Sequence, residues 1–240
     1  MNILITGTNS GLGYGLAKYF LELGHTVFGI SRRQNEELKL FENFRFLFQD
    51  ISRFSEIETN VGSFLSGVKE LDIVILNAGL LKEIKDMKDT PMDEIHEVMN
   101  VNVWANKVLI DVLFRQMDEV RQVVGISSGA SVSGSRGWNA YALSKATLNM
   151  LILLYAQEHP GTHFCSLAPG LIKSKMQNYI YEFPENEHYP VVDRLKQEWE
   201  SGQMPEPMEA AGTVAKAIIK AREFKSGSYL DARNIVPVES

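Results

Sequence analysis

The sequence predicts an α/β fold, a doubly wound parallel sheet of about seven strands with helices on both faces. Its 240 residues suffice for one large domain of this kind and would be cramped as two. Short apolar runs alternate with amphipathic helical patterns, which is typical of a parallel sheet covered by its crossover helices. No linker, repeat or low-complexity tract interrupts this alternation, so we expect a single domain over residues 1–240.

The elements are predicted in order from this alternation. Seven apolar runs are predicted as strands: 2–6, 26–31, 44–48, 72–76, 121–127, 162–168 and 228–231. Five amphipathic stretches are predicted as helices: 12–23, 53–67, 92–117, 138–158 and 208–224. The segment at about 173–207 is polar, aromatic and rich in proline, and it follows a strand end, where ligands bind in such sheets. We predict that it is a lid over the substrate.

Composition excludes several classes of function. The net charge is −6 and the basic residues are scattered, which argues against binding to nucleic acid or to an anionic membrane surface. No apolar run approaches the roughly 20 residues of a membrane-spanning helix, and the five histidines lack ligand spacing, so no metal site is expected. The single cysteine, Cys165, cannot form an internal disulfide, and no secretory signal is visible. We therefore expect a cytoplasmic protein.

A glycine-rich turn joins the first predicted strand to the first predicted helix, the position of the phosphate-binding turn in Rossmann-like folds. Glycines let the backbone approach a pyrophosphate, and the helix N-terminus offers it free N–H groups. The residues predicted to bind a dinucleotide here are Gly7, Thr8, Asn9, Ser10, Gly11, Leu12 and Gly13.

The end of the second predicted strand indicates which dinucleotide binds. An NAD site needs an acidic residue here to hold the ribose 2′-hydroxyl, whereas arginine accommodates a 2′-phosphate. Ser31 leaves that position uncharged, and Arg32 and Arg33 follow it, which favours NADP(H).

Two further strand ends lie on the ligand edge of the predicted sheet. Asp50 and Ile51 follow the third strand and could contact the adenine. Asn77, Ala78 and Gly79 follow the fourth strand, where they either line the cofactor cleft or form a tight turn.

Tyr141 and Lys145 are four residues apart on a predicted helix, so one helical turn places the phenol and the ammonium on the same face. The positive charge would favour the phenolate and lower the phenol's pKa from about 10. Alone, the pair is more typical of an aromatic ring packed on a lysine stem.

With these residues in place, the chain resembles the short-chain dehydrogenase/reductase family over nearly its whole length. In chain order, the matching motifs are the turn from Thr6 to Gly13, Asn77-Ala78-Gly79, Asn102, Ser128, the Tyr141 and Lys145 pair, and Pro169-Gly170. The family usually doubles the asparagine before Ala-Gly, where this chain has Leu76, and usually has threonine where this chain has Ser174. The resemblance implies that Pro169, Gly170, Ile172 and Ser174 also contact the cofactor.

The resemblance implies four catalytic residues for hydride transfer to a carbonyl. Tyr141 would donate the proton, and Ser128 would hydrogen-bond the carbonyl oxygen. Lys145 would lower the phenol's pKa and bind the nicotinamide ribose, and Asn102 would hold a water that connects Lys145 to solvent. Ser127 and Asn100 are rivals for the serine and asparagine roles.

Local stretches resemble a narrower branch, the sepiapterin reductases and the bacterial reductases of diketones such as benzil. This implies an NADPH-dependent carbonyl reductase that acts on a small, planar ketone or diketone. The implied substrate residues are Ser128, Trp138, Tyr141, Met176, Gln177 and Asp231. In sepiapterin reductases an aspartate at the place of Asp231 anchors the guanidine-like edge of the pterin; an ordinary strand-end aspartate is the alternative.

Two other functions remain open at this point. One is reduction of 3-oxoacyl thioesters, and the other is a non-catalytic NADP(H)-binding sensor or scaffold. By resemblance, the partners are expected to be further copies of the chain in a homodimer or homotetramer, paired through the helices at about 92–117 and 138–158.

Overall fold

The computed structural model describes residues 1–184 and 187–236. Within them the strands are β1 (Asn2–Thr6), β2 (Thr26–Ser31), β3 (Phe44–Phe48), β4 (Glu70–Leu71), β5 (Ile73–Leu76), β6 (Glu119–Val120), β7 (Gln122–Ile126), β8 (His163–Ala168) and β9 (Ser228–Asp231). Seven of them form one parallel sheet in the order β3-β2-β1-β5-β7-β8-β9. The predicted seven-stranded parallel sheet is confirmed. The short strands β4 and β6, which the sequence did not predict, pair separately.

Helices cover both faces of the sheet, as predicted. In chain order they are α1 (Gly11–Glu22), α2 (Phe54–Phe64), α3 (Met92–Met99), α4 (Ala105–Gln116), α5 (Ala130–Ser133), α6 (Asn139–Glu158), α7 (Lys175–Glu182), α8 (Pro190–Glu200), α9 (Pro207–Lys220) and α10 (Ala232–Ile235). Helices α1 and α9 pack on one face with Ile3 and Ile5 of β1. Helices α2, α4 and α6 pack on the other face with Leu4. Successive strand residues point to opposite faces, so one apolar run supplies both cores.

One predicted helix is interrupted. The sequence predicted a continuous helix over 92–117, but a π-helical segment, Asn100–Trp104, separates α3 from α4. The side chain of Asn102, in this segment, hydrogen-bonds the backbone of Leu80. A π-helical segment inserts one extra residue into a helix and often marks a functional site.

The sheet order places a crevice at its centre. Strand β1 lies between β2 and β5, so the chain leaves β1 toward one side and later returns to the other. In open α/β sheets, ligands bind outside the carboxyl ends of the strands at this point of reversal. The glycine-rich turn follows β1, at this crevice.

The segment predicted as a lid contains two helices, α7 and α8, and its residues 185 and 186 lie outside the described residues. Both helices join an apolar cluster with the start of α6, in which Ile180, Val192 and Leu195 pack against Trp138 and Tyr141. The segment predicted as a lid is thus packed against the residue predicted to donate the proton.

Candidate active site

A cleft of about 1470 Å³ lies at the carboxyl ends of the strands. Ligand pockets are typically about 300–1,000 Å³, so this one has room for a dinucleotide and a second molecule. The predicted cofactor residues that line it are Gly7, Asn9, Ser10, Gly11, Leu12, Ser31, Arg32, Arg33, Asp50, Ile51, Asn77, Ala78, Gly79, Tyr141, Lys145, Pro169, Gly170, Ile172 and Ser174. The predicted substrate residues Ser128, Trp138, Tyr141, Met176 and Gln177 line it as well.

The glycine-rich turn has the backbone geometry that an anion site requires. Gly7 and Gly11 have φ of +80° and +60°, a region that favours glycine. Ser10 is the N-cap of α1 but makes no side-chain capping hydrogen bond, and the first turn of α1 contains no acidic residue. A Cβ at Gly11 would meet only Ser174 Cβ, at 3.7 Å, so the turn is open toward the cleft. Together these features fit a cofactor pyrophosphate.

Two residues of the turn serve packing instead of lining the cleft. A Cβ at Gly13 would collide with Gly7 O and with Asn77 Nδ2, so glycine there lets α1 approach the turn. Thr8 is buried, and its Oγ1 would lie 2.9 Å from a Cβ at Gly29. Neither residue is among those that line the cleft, and their contact with the cofactor stays a prediction.

Hydrogen bonds join the turn after β1 to the turn after β5. The backbone N–H groups of Asn77 and Ala78 both donate to Thr6 Oγ1, each at 3.0 Å. Asn77 Nδ2 also donates to Thr6 O, at 2.9 Å. Asn77 therefore lines the cleft and also fixes the tight turn, so both alternatives left by the sequence hold.

Cations lie at the end of β2. Arg32 and Arg33 line the cleft, and within the described residues neither guanidinium has a carboxylate within 4.0 Å. Burial tends to raise the pKa of Asp50, but hydrogen bonds from Ser52 and the charges of Arg32 and Arg53 hold it below its usual value. The carboxylate near the adenine end is thus ionised and balanced by arginine.

Ser128, Tyr141 and Lys145 come together on the wall of the cleft. Ser128 follows β7 and lines the cleft together with Tyr141 of α6, and its hydroxyl tends to lower the pKa of the Tyr141 phenol. Lys145 lies one helical turn further along, buried, with its Nζ 5.8 Å from the centroid of the Tyr141 ring. Its Nζ donates a 2.7 Å hydrogen bond to Ile126 O at the end of β7.

The pKa of Tyr141 departs from the prediction in direction. Burial raises the pKa of the phenol, and the hydrogen bond from Ser128 offsets this only in part. Burial also lowers the pKa of the Lys145 ammonium to about 8. The predicted effect of Lys145 on Tyr141 is therefore outweighed by desolvation, because both groups are removed from water.

Asn102 lies behind these residues and does not line the cleft. Its Oδ1 accepts from Leu80 N at 2.7 Å, and its Nδ2 donates to Leu80 O and to Ser144 Oγ, each at 2.9 Å. A Cβ at Gly79 would lie 3.5 Å from both Asn102 Oδ1 and Lys145 Nζ, so these two polar atoms border the same small space. Asn102 holds the Leu80 backbone and α6 in place around that space.

The structure separates the two rival residues from the predicted ones. Ser127 also lines the cleft, but its buried hydroxyl donates to Asn149 Oδ1 at 2.6 Å, whereas the hydroxyl of Ser128 acts on the pKa of Tyr141. Asn100 lines the cleft, but Asn102 makes the contacts that reach α6.

Asp231 does not line the cleft, contrary to the expectation for a substrate anchor. Arg233 donates to both of its carboxylate oxygens, from Nε to Oδ1 at 2.9 Å and from Nη2 to Oδ2 at 2.6 Å. Arg233 itself lines the cleft. The sequence analysis missed Arg233, although its spacing of two residues from a strand-end aspartate is typical of a local side-chain cap.

The structure bears on two predicted absences. None of the helices within residues 1–184 and 187–236 is long and apolar enough to cross a membrane. In the same residues, no group of three His, Cys, Asp or Glu side chains is placed to hold a metal ion.

Comparison with known proteins gives consistent matches. The family model described as short chain dehydrogenase matches residues 1–185. A benzil reductase ((S)-benzoin forming) from Bacillus cereus is 30% identical over 95% of this chain and 97% of its own. A 3-oxoacyl-acyl-carrier-protein reductase from Rickettsia typhi is 30% identical over 75% of this chain and 76% of its own. The crystal structure of a short-chain dehydrogenase/reductase from Saccharomyces cerevisiae has a TM-score of 0.85 at 22% identity, covering 98% of this chain and 99% of that one.

Proposed function

Because this chain belongs to the short-chain dehydrogenase family, whose members bind a nicotinamide cofactor, we propose that it is an NADPH-dependent carbonyl reductase. Its substrate is a ketone or diketone, and Tyr141 is the proton donor. The observation that carries the proposal is the placement of Ser128, Tyr141 and Lys145 together on the wall of a cleft that begins at the glycine-rich turn. The similarity to a benzil reductase over 95% of the chain supports a planar dicarbonyl compound as substrate.

The side chains divide the work of reduction. When bound, the nicotinamide supplies a hydride to the carbonyl carbon. The Ser128 hydroxyl donates to the carbonyl oxygen, and Tyr141 transfers its phenolic proton to that oxygen as negative charge develops there. Burial raises the pKa of Tyr141, so the phenol still carries its proton at neutral pH. Lys145, with a pKa of about 8, supplies the positive charge that stabilises the resulting phenolate.

The arginines after β2 support NADPH as the preferred cofactor. Arg32 and Arg33 line the cleft and have no carboxylate within 4.0 Å in the described part of the chain, so both can receive a 2′-phosphate. Ser31 cannot repel that phosphate, because its hydroxyl is uncharged and donates to Arg33 O.

A second candidate substrate is a 3-oxoacyl thioester. It is favoured by the 30% identity to a 3-oxoacyl-acyl-carrier-protein reductase, which covers less of the chain than the benzil reductase does. The sensor function is disfavoured because Asn102, Ser128, Tyr141 and Lys145 are all present.

We also propose that the enzyme is a cytoplasmic homodimer or homotetramer, with residues 173–207 covering the substrate within one domain. Burial raises the pKa of its single cysteine, Cys165, to about 12, which suits a thiol that stays reduced.

The test is NADPH oxidation by the purified protein, followed by absorbance, with benzil, sepiapterin, an aromatic aldehyde and acetoacetyl coenzyme A. Turnover of benzil, lost in Tyr141→Phe while NADPH still binds, is the expected result. Turnover of the thioester alone would replace the diketone by the second candidate. Native-like turnover in Tyr141→Phe would refute the assigned roles.

A further inference from the structure

The carboxylate at the end of β9 is occupied by the chain's own guanidinium. Both oxygens of Asp231 accept hydrogen bonds from the side chain of Arg233, and the backbone N–H of Arg233 donates to Oδ1 at 3.0 Å. Two-pronged pairs of arginine and carboxylate are strong and fix the plane of the guanidinium. Asp231 therefore has little capacity left to bind a guanidine-like edge of a substrate.

The sheet places this pair at the catalytic end of the cleft. Asp231 lies beside Ala168 in the pairing of β9 with β8, and β8 pairs in turn with β7, which leads to Ser128. Neighbouring strands are about 4.8 Å apart, so the end of β9 is about 10 Å from the end of β7. Tyr229, on the same face of β9 as Asp231, donates a 3.4 Å hydrogen bond to Ser128 O.

The stem of Arg233 lies over the turn that follows β8. Its Cδ and Cγ would be 3.4 and 3.5 Å from a Cβ at Gly170, a residue with φ of +89°. Gly170 and Arg233 line the same cleft as Tyr141. Because Gly170 has no Cβ, the Arg233 side chain can lie across the end of the cleft that contains Tyr141.

Arg233 retains hydrogen-bonding capacity toward the cleft. Nε and Nη2 bind Asp231, and no hydrogen bond from Nη1 is found among residues 1–184 and 187–236. Lys175 and Arg194, from α7 and α8, also line the cleft, as does the acidic Glu198 of α8. The other acidic lining side chains are Asp50, which follows β3, and Asp93 and Glu97 of α3, which follows β5; none of them follows β8 or β9.

We infer that Arg233, held by Asp231, binds a carboxylate on the carbonyl substrate, so that the enzyme prefers oxo acids over neutral ketones. This specificity rests on the reductase function proposed above. It reverses the charge requirement expected from the sequence, in which Asp231 was to bind a cationic or guanidine-like group. The substrate carboxylate is bound by Nη1 of Arg233 together with the positive side chains of Lys175 and Arg194.

The experiment compares each acid with its own methyl ester. Benzoylformate and 4-oxo-4-phenylbutanoate place a carboxylate at two distances from the same aryl ketone. Esterification removes the charge and adds one methyl group; in 4-oxo-4-phenylbutanoate the ketone is too far from the ester for its reactivity to change. For at least one acid, the wild-type kcat/KM should be about tenfold to a hundredfold higher than for its ester. This factor corresponds to the free energy of one charged hydrogen bond. In Arg233→Gln this ratio should fall toward one.

Two further variants keep the test decisive. If Arg233→Gln is unstable because Asp231 is left without its partner, the double variant Asp231→Asn/Arg233→Gln restores a neutral hydrogen-bonding pair. Arg194→Gln removes a lining cation that has no tie to Asp231, and it should lower the ratio less than Arg233→Gln does. If Arg194→Gln alone abolishes the preference, the site belongs to α8 and the inference is overturned.

Failure of this specificity is distinguishable from failure of the reductase function. Equal or faster reduction of both esters by the wild type would refute the carboxylate site and leave the reductase intact. If no ketone is reduced, calorimetric titration of mandelate and methyl mandelate into the protein with NADP⁺ decides the binding alone. Mandelate that binds more tightly than its ester, and loses this advantage in Arg233→Gln, supports the site; equal binding refutes it.

Discussion

The side-chain amide of Asn139 donates a 3.1 Å hydrogen bond to the hydroxyl of Thr90 and ties the loop before α3 to the first residue of α6. The same Nδ2 reaches the carbonyl oxygens of Glu83 and Lys85 at 3.1 and 3.3 Å. Asn139 has φ of +22° and is the one non-glycine residue with positive φ in the described ranges. It lies two residues before Tyr141, so this bond helps to set the start of the catalytic helix.

We predict that Asn139→Ala lowers kcat about tenfold and leaves the Kd for NADPH unchanged, because the Tyr141 hydroxyl shifts while the cofactor turn does not. Asn139→Gly keeps the backbone freedom and loses only the amide, so it should recover part of the rate. Stopped-flow turnover and fluorescence titration measure the two effects separately. Unchanged kcat in both variants would show that Asn139 has no positioning role.

Ser128→Ala should lower kcat/KM about a hundredfold, because the carbonyl oxygen loses a hydrogen-bond donor. Ser127→Ala is the matched control. Ser127 precedes Ser128 in the chain, but its hydroxyl is bonded to Asn149 at 2.6 Å, so its removal should change kcat/KM far less than the removal of Ser128 does. Equal losses in the two variants would contradict the assignment of Ser128.

Arg32→Ser and Arg33→Ser should each weaken NADPH binding by about tenfold and leave NADH binding nearly unchanged, since only NADPH has the 2′-phosphate. Arg53→Ser serves as the control, because Arg53 is near Asp50 but its guanidinium is 3.4 Å from the carboxylate of Glu56. The two dissociation constants are measured by fluorescence. If wild-type protein binds NADH as tightly as NADPH, the proposed preference is wrong.

Lys145→Met should abolish turnover and yet stabilise the protein at neutral pH. Burial lowers the pKa of Lys145 from 10.5 to about 8, so the unfolded chain binds a proton that the folded chain releases between these values. The wild-type free energy of unfolding should therefore rise as the pH is raised above about 8, and this rise should be absent in the variant.

At pH 7 the free energy of unfolding of the variant should exceed that of the wild type by about 2 kcal/mol. This is less than the free energy that corresponds to the full pKa shift, because the hydrogen bond to Ile126 O is also lost. Urea unfolding at pH 7 and at pH 9 measures both quantities, below the range in which exposed tyrosines titrate. A variant less stable than the wild type at pH 7 would show that burial of the charged Lys145 ammonium does not destabilise the folded state.

The exposed face of α6 should be an interface between copies of the chain. Leu143, Met150 and Leu154 recur there at helical spacing, and each is 47–55% exposed. Leu154→Glu should reduce the mass measured by light scattering after size exclusion. Leu40→Glu, at an apolar residue that is 81% exposed after β2, should not. A wild-type protein that is already monomeric would refute the proposed assembly.

The seven strands of the main sheet were predictable because each is a short apolar run; β2 and β3 begin and end at the predicted residues, although only β2 is buried on both faces. The break in the helix over 92–117 was not predictable from local patterns, since the contact of Asn102 with Leu80 that accompanies it joins residues distant in sequence. Most residues that line the cleft were predictable, because the carboxyl ends of the parallel strands lie at one edge of the sheet. The pairing of Asp231 with Arg233 and the raised pKa of Tyr141 depend on side-chain conformation and burial, which motifs do not encode.

Thr6 accepts three hydrogen bonds from the turn after β5. The backbone N–H groups of Asn77 and Ala78 donate to its hydroxyl oxygen, and the side-chain amide of Asn77 donates to its carbonyl oxygen. The two loops that flank the crevice are therefore joined before any cofactor arrives. A preformed site has little conformational entropy left to lose on binding. Cofactor association should accordingly be a single fast step with a small entropic cost, and slow phases in binding kinetics should originate from the segment predicted to be a lid.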